Sequence, residues 1–153
     1  MSKKNGETRI MVFGTFDGLH QGHLHFFKQA RALKFLVPGQ VKNFMRNSFL
    51  IVSIARDRNV FKIKGKHPSL SEKARMALIK KCALVDQVVL AGIKNHLPHI
   101  VKMRPDIIAL GYDQKAYVQN LKKDLKNKGI LVKIVRLKPY KEKVYKNHLL
   151  KTK

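Results

Sequence analysis

Five short runs rich in valine and isoleucine recur along the chain, and stretches with helical periodicity separate most of them. The runs are RIMVFG (Arg9–Gly14), SFLIVSIA (Ser48–Ala55), DQVVLA (Asp86–Ala91), DIIALG (Asp106–Gly111) and ILVKIV (Ile130–Val135). Near-continuous apolar strands alternating with helices indicate parallel strands buried on both faces, because each crossover helix must pack back onto the sheet. The expectation is an α/β, Rossmann-like fold: an open, mainly five-stranded parallel sheet with helices on both sides.

Between the runs, Gln21 to about Leu36 carries Leu24, Phe27, Ala30 and Leu33 on one stripe, the spacing of an amphipathic helix. The stretch 37–47, with Pro38-Gly39 as a breaker, reads as a loop inserted before the second strand. RDRNVFKIKGKHPSL is basic and reads as irregular. Ser69 and Glu72 then have capping-box spacing at the start of a helix. NHLPHIVKMR gives a short helix with Pro98 in its first turn. Gln114 to Lys128 places Val118, Leu121 and Leu125 on one side, and Gly129 stops it. No repeat or linker divides the chain. The 153 residues read as one domain with a polar arm over 1–8 and a basic tail over 138–153.

Charge adds a second constraint. Lys plus Arg is 33 against 9 acidic residues, a formal +24, which attracts phosphates and other polyanions. The basic residues are dispersed, and no zinc-finger or arginine–aromatic pattern accompanies them. Nucleic-acid binding, if present, is therefore expected to be non-specific and electrostatic. No apolar run is long enough to span a bilayer, and the N-terminus lacks the apolar centre of a signal peptide. With Cys82 as the one cysteine, no internal disulfide can form. These features point to a cytoplasmic protein.

The chemistry concentrates where the first strand meets the first helix, in FGTFDGLHQGH (Phe13 to His23). In a parallel sheet, ligands bind at the carboxyl ends of the strands. Glycines let backbone approach a phosphate, and a helix N-terminus offers unpaired N–H groups. His20 and His23, three apart on a first turn, can both face an anion there. The arrangement suits charge developing on a transferring phosphoryl group. A zinc site built from His20, His23 and His25 lacks a further ligand at a convincing spacing, so no protein-held metal is expected. His96 and His99 repeat the spacing outside any glycine turn and read as surface residues.

GTFDGLHQGH resembles the signature of the nucleotidyltransferases with an H-x-G-H motif. ARDRNVFKIKGKHPSLSEKAR, VDQVVLAG and RPDIIALGYDQK are similar to the archaeal-type FAD synthetases, near glycerol-3-phosphate cytidylyltransferase. The resemblance implies transfer of a nucleoside monophosphate from ATP or CTP to a phosphorylated acceptor. Pyrophosphate leaves, and Mg²⁺ accompanies the triphosphate. FMN is the favoured acceptor, with a polyol phosphate next. By motif, His20, His23 and Lys64 would be catalytic. Gly14, Thr15, Phe16, Gln21, Gly22, Lys66, Arg75, Asp113 and Tyr140 would join His20 and His23 in binding the nucleotide, and Asp17 would face the acceptor phosphate. Family members are often dimers. They usually open the last helix with a Ser-Thr pair, and here Tyr145-Lys146-Asn147 stands in its place, with Lys143 or Lys146 as the substitute charge. The competing expectation is a protein of the same fold that binds nucleotide or RNA without turnover.

Overall fold

The computed structural model describes residues 6–36, 47–93, 96–112, 114 and 120–139. Five parallel strands form one sheet in the order β3-β2-β1-β4-β5. They are β1 (Glu7–Gly14), β2 (Asn47–Ile54), β3 (Gln87–Leu90), β4 (Ile107–Leu110) and β5 (Lys133–Arg136). The helices are α1 (Gln21–Ala32), α2 (Asp57–Lys64), α3 (Glu72–Lys80), α4 (Leu97–Met103) and α5 (Leu121–Asn127). A single 3₁₀ turn, Leu33–Phe35, extends α1. Among the described residues no helix is long and apolar enough to cross a membrane.

Strand alternation divides the interior in two. Ile10, Val12, Leu50, Val52, Ile54 and Ala109 face Phe27 and Ala30 of α1 and Ile79 of α3. Met11, Ile51 and Ile108 face Ile100 and Met103 of α4 and Leu121 and Leu125 of α5. Helices thus cover both faces, as the buried character of the strands requires.

The chain adds strands to one side of β1 first (β2, β3) and then to the other (β4, β5). The order therefore reverses between β1 and β4, where open sheets of this kind bind ligands. β1 pairs with β2 as far as Gly14↔Ile54. Its pairing with β4 ends earlier, at Val12↔Ala109, which opens a crevice at the carboxyl ends of these two strands.

Three local expectations are corrected. The basic stretch after β2 is not irregular: Asp57–Lys64 is helical, ended by Gly65 in the left-handed conformation. Helix α3 is capped by Ser71, whose side chain accepts from Ala74 N, rather than by Ser69. Glu72 instead pairs with the start of α2, accepting from Asp57 N at 2.9 Å while Asp57 accepts from Glu72 N at 3.0 Å. Gln114 is not helical, and α5 begins only at Leu121. The insertion over 37–46, Asp113, Tyr140 and the tail with Lys143 and Lys146 lie outside the described residues.

Candidate active site

The turn between β1 and α1 is built from close approaches that only small residues permit. Phe16 has φ 54°, a conformation costly for a bulky residue. It is held there by burial, with its ring edge-on to His23 at 5.3 Å and tilted against Phe27 at 5.5 Å. The ring folds back over Gly14, where an added Cβ would lie 2.6 Å from Phe16 Cε2. Gly22 is required in the same way, since its Cβ would sit 2.8 Å from His20 Cε1.

That second constraint comes from how the histidines cap α1. His20 is the N-cap, and its Nδ1 accepts from Gly22 N at 3.0 Å. His23 Nδ1 accepts from His20 N at 3.3 Å. The two imidazoles stack, with centroids 3.8 Å apart. They form a capping box with rings in place of the usual hydroxyl and carboxylate. Because each Nδ1 accepts a backbone N–H, the proton of each neutral ring resides on Nε2. Burial lowers the pKa of His20, and burial together with the His20 ring lowers that of His23 to about 4. At neutral pH the pair is thus two uncharged Nε2–H donors. The first turn of α1 contains no acidic residue, so its positive end is left for an exogenous anion.

Lys64, the last residue of α2, brings Nζ within 3.5 Å of Thr15 Oγ1. This is long for a hydrogen bond but sets a cation beside the turn. Lys66 follows Gly65 and is exposed, as is Gln21 at the start of α1.

Two expected ligand contacts are placed differently. Arg75 is fully buried. Its Nη1 donates to Thr15 O at 2.8 Å, Nε to Leu70 O at 3.1 Å and Nη2 to Asp57 Oδ1 at 2.5 Å. The guanidinium fork is thereby turned inward, where it fixes the Thr15 carbonyl and joins α2 to α3. Asp17 accepts from Ser69 N at 2.6 Å and Leu70 N at 2.7 Å. Those backbone donors lower its pKa, so it is an anion that clips the turn to the segment before α3. With both oxygens so engaged, Asp17 is poorly suited to hold a cation. Among the described residues no cluster of three or more His, Cys, Asp or Glu could hold a metal ion.

Other participants were not evident from the sequence. Asp57 is one, and its position directly after a strand, opening a helix, was the available signal. Gln114, which bonds to the ends of β1 and β4, is another. His96 and His99 are half-buried rather than on the surface, and His99 Nε2 lies 2.9 Å from Ser53 Oγ on β2.

Residues 11–149 match the sequence profile of the Cytidylyltransferase-like family. The chain is 41% identical over 129 residues to the FAD synthase of Korarchaeum cryptofilum, covering 84% of this chain and 80% of that protein. It is 38% identical over 153 residues to the FAD synthase of Thermococcus sibiricus, covering 99% and 91%. A crystal structure described as the lipopolysaccharide core biosynthesis protein of Thermoplasma volcanium GSS1 superposes with a TM-score of 0.73. It has 35% identity and covers 87% of this chain and 98% of that one. The pantoate-beta-alanine ligase of Francisella tularensis, at 17% identity and a TM-score of 0.54, shares the fold.

Proposed function

The chain belongs to the cytidylyltransferase-like family, and from that premise we propose that it is an FMN adenylyltransferase, joining MgATP and FMN into FAD and pyrophosphate. The similarity to FAD synthases over most of both chains supports the substrate pair. The observation that carries the chemistry is the stacked His20–His23 pair at the N-terminus of α1.

An oxygen of the FMN phosphate attacks the α-phosphorus of ATP. The new P–O bond forms as the bond to the bridging oxygen of the β-phosphate breaks, and pyrophosphate leaves with that electron pair. Both reacting groups are already phosphates, so the protein contributes position and electrostatics rather than a nucleophile. The triphosphate lies along the turn from Gly14 to His23, beside Thr15 and Phe16. His20 and His23 direct Nε2–H toward the charge that grows on the α-phosphate. An arriving anion also favours the charged form of both rings, which strengthens their Nε2–H groups as donors. Lys64 and Lys66 supply mobile cations at the end of α2. Arg75 and Asp17 keep the turn rigid against the α2–α3 segment. A Mg²⁺ ion bound with the triphosphate would supply charge neutralisation for the leaving pyrophosphate, held by the nucleotide rather than by the described side chains.

A second acceptor class follows from the family itself: a cytidylyl group moved from CTP to a polyol phosphate. Pyrophosphate release, measured with MgATP or MgCTP against FMN and glycerol 3-phosphate, separates the two. Release with ATP and FMN alone supports FAD synthesis. Release with CTP and the polyol phosphate alone replaces it.

A further inference from the structure

Among the described residues, one side chain, Gln114, spans the crevice between β1 and β4. Beyond Val12↔Ala109 the two strands no longer pair, yet the next backbone groups are not left open. Gln114 Nε2 donates to Phe13 O at 2.8 Å, and its Oε1 accepts from Gly111 N at 2.7 Å. The amide acts as a surrogate peptide unit, one donor and one acceptor, set between strands that have begun to diverge. Gly111 and Gln114 are themselves held by backbone and side-chain bonds. Gln114 N donates to Gly111 O at 3.2 Å, and Arg136 Nη1 at the end of β5 donates to both Gly111 O and Gln114 O at 2.8 Å.

Phe13 O belongs to the peptide that leads into Gly14, the first residue of the phosphate-facing turn. Gly111 N opens the loop after β4, the opposite wall of the crevice at the point where the strand order reverses. We propose that Gln114 is a positioning residue for the nucleotide: its amide bridges Phe13 O and Gly111 N and so sets the end of β4 in register with the turn after β1, the two walls against which a nucleotide would lie. The inference rests on the nucleotidyltransferase reading of the site. Nucleoside and triphosphate are one molecule, so both walls must keep a fixed separation for both ends to bind at once. The orientation of the amide matters as well as its size, because a carbonyl stands on one side and an N–H on the other.

The test is calorimetric titration of MgATP in the absence of FMN, on the wild type, Gln114→Met and Gln114→Glu, with melting temperatures recorded for each. Methionine keeps the length and loses both hydrogen bonds. Ionised glutamate keeps the acceptor and opposes the Phe13 carbonyl, whereas protonated glutamate restores a donor. Among the described residues, the Arg136 guanidinium is the charged group bonded to Gly111 O and Gln114 O. Both variants should weaken MgATP binding about tenfold at pH 8 while melting close to the wild type. Relative to the wild type at each pH, the Gln114→Glu defect should shrink as the pH falls toward 5, and the Gln114→Met defect should stay constant. Binding within about twofold of the wild type in both variants overturns the proposal. So does a Gln114→Glu defect that ignores pH, or a wild type that binds neither MgATP nor MgCTP. A wild type that binds MgATP but forms no FAD refutes the FMN reading alone and leaves the crevice result readable.

Discussion

Burial and the adjoining His20 ring hold His23 at about 4, so between pH 6 and 8 the ring is neutral and its tautomer is dictated by His20 N. A ¹H–¹⁵N titration of the ring nitrogens should show His23 as the Nε2–H form with a midpoint well below the ordinary 6.5; an Nδ1–H ring or an ordinary midpoint contradicts the capping arrangement. The sign for stability follows. The unfolded chain binds this proton at 6.5 and the folded one only near 4, so stability is complete above 6.5 and is lost as the pH falls through that window. His20, His96 and His99 are lowered by burial too and add in the same direction. Melting temperatures that hold constant from pH 7 to 5 would contradict this. Replacing His20 or His23 by alanine should reduce kcat about 100-fold or more, because the contact strengthens as charge builds on the α-phosphate. KM for ATP should change far less. Steady-state kinetics check this, and near-wild-type turnover would remove the histidines from the chemistry.

At the scale of elements, α2, α3 and the turn after β1 are held as one unit by Arg75 and Asp17. Arg75→Met should cost about 3 kcal/mol in denaturant unfolding, since it leaves the Thr15 carbonyl and Asp57 without their buried partner. Lysine should not rescue it, lacking the planar fork that meets three acceptors. Unchanged stability with a raised KM for ATP would instead mean that the guanidinium faces the nucleotide. This residue also shows where the sequence stops being informative. The strands were legible because continuous apolar runs have few alternatives, and the turn was legible because Gly14, Gly22, His20 and His23 have fixed spacing. An arginine in a helix, by contrast, has the same letter whether it points at a phosphate or into the core. Its destination depends on Thr15 and Asp57, which reach it only through tertiary packing. Helix α2 was missed because lysines and a nearby glycine masked a short amphipathic pattern around Val60. Gln114 looked like a helix start because periodicity cannot reveal a side chain that substitutes for a sheet hydrogen bond.

For the whole molecule, the +24 charge and the nucleotide site call for different tests. Dispersed lysines attract polyanions without reading them, so any RNA affinity should fall at least about tenfold between 50 and 200 mM salt and should ignore sequence. Filter binding that stays tight and selective at the higher salt would contradict this and favour a dedicated RNA-binding role. The fold brings the glycine turn, the end of α2 and the crevice between β1 and β4 to the carboxyl ends of the central strands, the place where the proposed reaction would bring two phosphates together. The most direct measurement is chromatographic detection of FAD from purified protein, FMN and MgATP, with pyrophosphate counted in the same reaction. FAD and pyrophosphate should appear in equal amounts and form about 100-fold more slowly, or slower still, with His20→Ala or His23→Ala. Absence of FAD from folded protein, or FAD formed equally well by both histidine variants, would contradict the account.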